Sequence, residues 1–248
     1  MIACVDTGRV DEICDASRTR KDDESLAFED EAGVVLRGAA AMAALEKRCD
    51  FQYVETLAFL HERHLRQRHL LFYPPAPGRV PARRATPPPL VVRPAPPAGL
   101  GVFAGEDVAA RASVGGHEAP EPRLEPASTR APSQADARLA EYAGVAGPPT
   151  VAHDGFLLEY AETIGGEALH LSARHYGNVG RFFNHDGAGL QNADLVRCSH
   201  DGLLRVFVVA TRDIPKGDQI LVDYGVAYWR DSPETLRRLS QALSLIHI

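Results

Sequence analysis

Cysteine is scarce and poorly spaced for metal or disulfide chemistry. Of 248 residues only Cys4, Cys14, Cys49 and Cys198 are cysteines, and no two form a CxxC or CxC pair. A disulfide framework or a Cys-rich zinc cluster is therefore not expected, and the chain reads as intracellular. Long apolar runs are also missing: nothing approaches the roughly 20 residues that span a bilayer. The N-terminus has no basic segment followed by an apolar one, so no secretory signal is expected. Lysine is nearly absent, being confined to Lys21, Lys47 and Lys216, and the formal net charge is -6. That balance argues against a whole-chain nucleic-acid binder, though not against a local basic patch. No GxSxG or GxxxxGK[ST] pattern occurs, so hydrolase-elbow and P-loop chemistry have no support. A soluble cytosolic or nuclear protein is the expectation.

What is present is 45% hydrophobic residues, enough for a real core. Residues 1–36 are acidic and irregular ("TRKDDESLAFEDEAG") and are expected to be disordered. Residues 37–72 contain no proline and are rich in Ala, Leu and Glu, which predicts one or two helices. Ten of the eighteen prolines then fall between Pro74 and Pro97, marking a linker over 73–87. A stretch rich in Pro, Glu, Ser and Ala at 115–136 reads as a flexible insertion. Short β-like runs fill the rest of 88–230: "PLVVR", "LGVFA", "RLAEYA", "GFLLEY", "EALHLS", "LLRVFVVAT" and "QILVDY". The run at 203–211 is the strongest, and "DIPKGDQ" supplies a turn into the last. With little room for crossover helices, the fold class is mainly β with short helices, in small sheets, preceded by a helical N-terminal segment. The tail at 231–248 ends in an apolar stretch, "LSQALSLIHI" (239–248), and has no assigned role.

Most local motifs have ordinary explanations. "HERHLRQRH" (61–69) resembles a zinc helix, but HExxH needs a histidine where Leu65 stands, so the reading is a basic helical surface and no metal site. "GLGVFAG" (99–105) fails the dinucleotide pattern because no long helix follows; its glycines still let backbone approach a ligand closely. "DGAGLQNAD" (186–194) lacks the acidic spacing of a calcium loop. Two segments remain. "HYGNVGRFFNH" (175–185) sets two phenylalanines beside Arg, Asn and His, and "VDYGVAYW" (222–229) puts Tyr224 before a glycine at a strand end. Either alone suits a core aromatic with satisfied polar neighbours. Their co-occurrence around the strongest strand points to one site.

Together with "GLGVFAGEDV" (99–108) and "EYAG" (141–144), these segments resemble the SET-domain protein lysine methyltransferases. All four motifs stand in family order over residues 88–230. Within the family, "LAEYAGV" and "LRVFVVATRDIPKG" are most similar to the plant trithorax-related group that monomethylates a lysine of the histone H3 tail. The resemblance implies small β-sheets around a pseudoknot, S-adenosylmethionine on one face, and a substrate lysine entering from the other. It implies a nuclear protein whose partner is a histone tail, with neither a membrane nor a direct nucleic-acid site. By motif, Asn184, His185, Arg181 and Phe182 line the cofactor pocket, Leu100, Gly101, Val102 and Phe103 approach its other side, and Trp229 covers the adenine. Tyr142, Val222 and Tyr224 line the lysine channel, with Tyr224 as the catalytic hydroxyl.

Three departures stand out. The family's NHSCxPN is here "NHDGAGLQN" (184–192), longer and without Cys or Pro. Val222 replaces the aromatic that many relatives place two residues before the catalytic tyrosine, so a monomethyl product is not implied. The insertion at 115–136 separates the first two strands of the domain. A non-histone lysine substrate, or a non-catalytic binding module of the same fold, remain as alternatives.

Overall fold

The structure, a computed structural model, describes residues 3–5, 25–71, 88–109, 138–148, 155–186, 189–200, 203–225 and 228. The expected linker at 73–87, the insertion at 115–136, Trp229 and the tail at 231–248 lie outside the described residues.

The acidic N-terminal stretch contains three apolar residues in a row, Leu26, Ala27 and Phe28, and all three are buried. They form β2 (Leu26–Glu29), which follows the two-residue β1 (Ala3–Cys4). Disorder throughout 1–36 is thus corrected: Asp30 turns the chain by accepting the N–H groups of Ala32 and Val34, and β3 (Val35–Arg37) returns antiparallel. Helix α1 (Gly38–Cys49) follows, burying Ala41, Met42 and Leu45 on one face. Its end is capped by Asp50 in the left-handed conformation (φ 50°), whose N–H reaches the Glu46 carbonyl. The predicted helical segment then becomes extended, as β4 (Gln52–Tyr53) and β5 (Ala58–Phe59), before a short α2 (Glu62–Arg66) and a 3-10 turn at Arg68–Leu70.

Most predicted strands appear with trimmed ends. They are β6 (Leu90–Pro94), β7 (Leu100–Ala104), β8 (Arg138–Glu141), β9 (Val145–Gly147), β10 (Leu157–Glu162) and β11 (Ala168–Ser172). After them come β12 (Tyr176–Gly177), a 3-10 turn at Val179–Phe182 and β13 (Asn184–His185). The chain continues with β14 (Ala193–His200), β15 (Leu203–Ala210) and β16 (Leu221–Val222). Every β15 residue except Arg205 is buried, as a continuous apolar run covered on both faces requires. Strand β14 carried no strong sequence signal because Asp194, Arg197, Ser199 and His200 interrupt its apolar positions. Yet it pairs with β15 along all eight residues: its register is fixed by the neighbour rather than by its own pattern.

The strands make three sheets of some size, ordered β3-β2-β6-β7, β1-β5-β9-β11-β10 and β14-β15-β8, plus two parallel pairs, β4 with β12 and β13 with β16. The first sheet joins the N-terminal segment to the later domain, because β2 runs parallel to β6. Leu26, Phe28, Met42 and Leu45 share one core cluster with Val102, Phe182, Ile220 and Val222. The proline-rich stretch therefore does not separate two packing units: residues 25–71 and 88–225 bury apolar area against each other.

Candidate active site

The segment from Tyr176 to His185 is held by its own amide side chain. Asn178 Oδ1 accepts the N–H groups of Gly180 at 2.9 Å and Ala143 at 3.2 Å, and its Nδ2 donates to the Glu141 carbonyl at 2.7 Å. This staples the 3-10 turn to the end of β8. A Cβ on Gly180 would sit 3.0 Å from the Tyr142 Cα, so glycine is required for the approach. Both phenylalanines then turn into the core: Phe182 is 6% exposed and Phe183 3%. Phe182 meets the edge of Phe51 at 5.9 Å. The Arg181 guanidinium lies between the rings of Phe51 (4.1 Å) and Phe156 (4.3 Å) and donates to the Arg174 carbonyl at 3.3 Å. Cation–π contacts and a carbonyl offset part of the cost of burying the guanidinium.

Downstream, the chain enters β13, which lies parallel to β16 with Asn184 opposite Leu221 and His185 opposite Val222. This pairing brings together two segments some forty residues apart. Tyr224 donates its N–H to His185 Nδ1 at 3.1 Å and its hydroxyl to the Phe183 carbonyl at 2.7 Å, while the His185 and Tyr224 rings lie 5.3 Å apart. Tyr228 closes on the other side of Tyr224, edge-on at 4.7 Å. Burial, and secondarily Tyr228, push the Tyr224 phenol well above its usual range, so it stays protonated. The Asn184 amide donates to the Leu100 carbonyl at 3.1 Å, tying β13 to the start of β7. Gly101 makes that tie possible: a Cβ there would lie 2.5 Å from Gln219 Nε2, 2.8 Å from Ala95 Cβ and 3.0 Å from Asn184 Nδ2.

These walls enclose a cleft of about 990 Å3. Leu100, Arg181, Phe182, Asn184 and Tyr224, all nominated from sequence, line it. The others lie around it. Val102 is fully buried and accepts the Ile220 N–H. Phe103 carries the Arg93 guanidinium on its ring at 3.9 Å, and Gly101 acts through the space it leaves. His185 braces Tyr224 from behind. Val222 is 1% exposed and packed in the core, and the Tyr142 hydroxyl donates to the Phe156 carbonyl at 2.9 Å.

Sequence reasoning missed part of the lining: Glu31, Arg48, Cys49 and Asp50 from the N-terminal segment, and Phe156, Arg174 and His175 from the later one. Nothing in the sequence marks α1 as facing the site; only the β2–β6 pairing carries it there. It also missed Asn192, which clamps β16. Its Oδ1 accepts the Leu221 N–H at 2.9 Å, its Nδ2 donates to the Gln219 carbonyl at 2.9 Å, and its N–H reaches the Leu221 carbonyl at 3.0 Å. The histidine-rich segment lies elsewhere. His64 is 1% exposed with Nε2 3.2 Å from Glu167, and among the described residues no His, Cys, Asp or Glu group is arranged to hold a metal. No described helix is long and apolar enough to cross a membrane.

Comparison with known proteins places this geometry. The SET domain family matches residues 99–225. A protein of Ricinus communis described as a probable histone-lysine N-methyltransferase ATXR5 is 50% identical over 54 residues, covering 19% of this chain and 14% of that relative. The match thus spans a small part of that curated relative's length. Among solved structures, ATXR5 in complex with mono-methylated histone H3.1 superposes with a TM-score of 0.50 at 19% identity, covering 74% of this chain and 85% of the other. The ATXR5 SET domain in complex with di-methylated histone H3 gives a TM-score of 0.51 at 20% identity, with coverages of 74% and 84%. At such identities the superpositions speak to fold.

Proposed function

From the premise that the chain belongs to the SET-domain family, we propose that it is an S-adenosylmethionine-dependent protein lysine methyltransferase acting on a histone H3 tail in the nucleus. The observation that carries this reading is the parallel β13–β16 pair, which sets Asn184 and His185 beside a half-buried, protonated Tyr224 at a cleft bounded by Leu100. The histone substrate and the nuclear setting rest on the names of the relatives.

The residues present fit the methyl donor. Gly101 removes the one side chain that would push the Leu100 backbone and Asn184 apart. Leu100 and Asn184 bring backbone and amide polar groups, and Phe182 and Phe156 bring apolar surface, a mixture suited to a nucleoside carrying an amino-acid end. When bound, S-adenosylmethionine supplies an electrophilic methyl group on a cationic sulfonium.

The remaining chemistry belongs to the chain. Lysine must arrive neutral although its ordinary pKa is about 10.4, and desolvation beside a positive charge lowers it. The Tyr224 hydroxyl donates its proton to the Phe183 carbonyl, so its oxygen lone pairs face the task of accepting an amine N–H. That contact turns the nitrogen lone pair toward the methyl carbon, an in-line arrangement in which positioning contributes most. Burial keeps the phenol from ionising, so Tyr224 acts as an aligning hydroxyl rather than as a base. His185 holds the backbone of Tyr224 and stacks on its ring.

The test is radiolabelled methyl transfer to recombinant histone H3, with a proteome extract alongside. Transfer to H3 is expected, and Tyr224→Phe should lower turnover by about 100-fold or more while leaving the melting temperature within a few degrees. Labelling confined to extract proteins points to a non-histone lysine. Wild-type turnover in the variant sinks the role given to Tyr224.

A further inference from the structure

One wall of the cleft comes from outside the matched span. Helix α1 ends there, and its cap residue, Asp50, lines the cavity. Asp50 is exposed, and it is an uncommon choice for that position. It is the one non-glycine residue with positive φ among the described residues (φ 50°), where glycine or asparagine is preferred. It also sets a carboxylate at the negative end of a helix dipole. No described side chain pairs with it. Residues that depart from local preferences concentrate at functional sites.

Arg174 lines the same cleft and is exposed, and it makes no ion pair with a described carboxylate. The other charges of the lining are already engaged. Arg48 and Glu31 hold each other in a two-pronged ion pair, and Arg181 is sandwiched between Phe51 and Phe156. The cleft therefore presents one exposed anion and one exposed cation, neither paired with a described side chain. The wall bearing Asp50 is held in place: Phe51 packs on Arg181 and Phe182, and Gln52 and Val54 donate backbone N–H groups to the carbonyls of His175 and Gly177.

We infer that Asp50 and Arg174 form a receptor for a zwitterionic amino-acid group, Asp50 taking its ammonium and Arg174 its carboxylate. Resting on the methyltransferase reading, this assigns them to the methionine end of the cofactor and makes the N-terminal segment part of the binding site.

Calorimetric titration of the full chain tests it with two probes: S-adenosylhomocysteine, which has the amino-acid end, and 5′-methylthioadenosine, which lacks it. The wild type is expected to bind the first more tightly. Asp50→Asn and Arg174→Gln should each weaken S-adenosylhomocysteine about fivefold to tenfold, the size of one charge-assisted contact, and leave 5′-methylthioadenosine unchanged. Asp50→Asn should also hold or raise the melting temperature, since asparagine suits the left-handed cap; a purely structural Asp50 would lower it. Undiminished S-adenosylhomocysteine affinity in both variants overturns the inference and leaves the methyltransferase reading standing. Equal wild-type affinity for the two probes does the same. Failure of the wild type to bind either overturns both.

Discussion

Single residues decide how closely the cleft walls approach. Gly101 is the clearest case. Its φ needs no glycine, but its missing Cβ does: the space is taken by Gln219, Ala95 and Asn184. The end of Gln219 can swing away, whereas Ala95 Cβ at 2.8 Å moves only with its backbone. Gly101→Ala is therefore expected to destabilise by about 1–3 kcal/mol, as overpacking does, and to weaken S-adenosylhomocysteine binding by lengthening the Asn184–Leu100 bond. A thermal melt with a titration checks both; unchanged values in each contradict the account. This residue, like Asn184 and Tyr224, was legible in the sequence, because a glycine after a leucine at a strand entrance and an Asn-His pair are rare in ordinary strands. Asp50 and Arg174 were not legible. One is a helix cap and the other a loop residue, and neither type of position carries a pattern.

At the scale of elements, the site hangs on strands only two residues long. Two-residue strands have few bonds of their own, so β13 and β16 need outside support. Asn192 provides it by replacing a missing strand neighbour with a side-chain amide. Asn192→Ala would remove the amide partner of the half-buried Leu221 N–H and Gln219 carbonyl, at about 0.5–1.5 kcal/mol for each bond lost. A loss of about 1–3 kcal/mol in chemical denaturation is expected, with a larger fall in kcat than in KM because Tyr224 closely follows β16. Asn192→Asp retains the acceptor and should recover part of the loss. If Asn192→Ala melts like the wild type, the clamp has no weight. Elements of this length escape sequence reading, since two residues have no periodicity; β14, at eight residues, escaped because its polar positions mask an apolar contact with β15.

The described residues pack together, with residues 25–71 sharing a core with the family-matched span. Its response to alkali follows from two tyrosines. Tyr160 is fully buried, donates to the Leu204 carbonyl at 2.6 Å, and is held far above its usual range by burial; Tyr224 is raised for the same first cause. An unfolded tyrosine ionises near about 10. Above that pH the unfolded chain releases protons that the folded chain retains. The stabilisation is therefore complete below about pH 10 and drains as pH rises toward the folded values, by up to about 1.4 kcal/mol per pH unit for each tyrosine. Denaturant midpoints measured from pH 9 to 12 should fall, and Tyr160→Phe should flatten the slope while lowering neutral stability by about 1–2 kcal/mol through the unpaired carbonyl. A pH-independent midpoint through that window contradicts this.

The sequence by itself determined the family, the mainly β class and the two motif segments, because each depends on residue types at close spacing: Asn with His, Tyr with Gly, and β-branched runs bounded by turns. Tertiary structure alone decided that the acidic N-terminal stretch supplies a strand, that α1 ends in the cleft, and that Asp50 faces the same cavity as Arg174. Those outcomes rest on long-range pairing, β2 with β6 and β4 with β12. The free energy of such pairing comes from area buried between segments distant in the chain, and no local pattern records which partner will cover it.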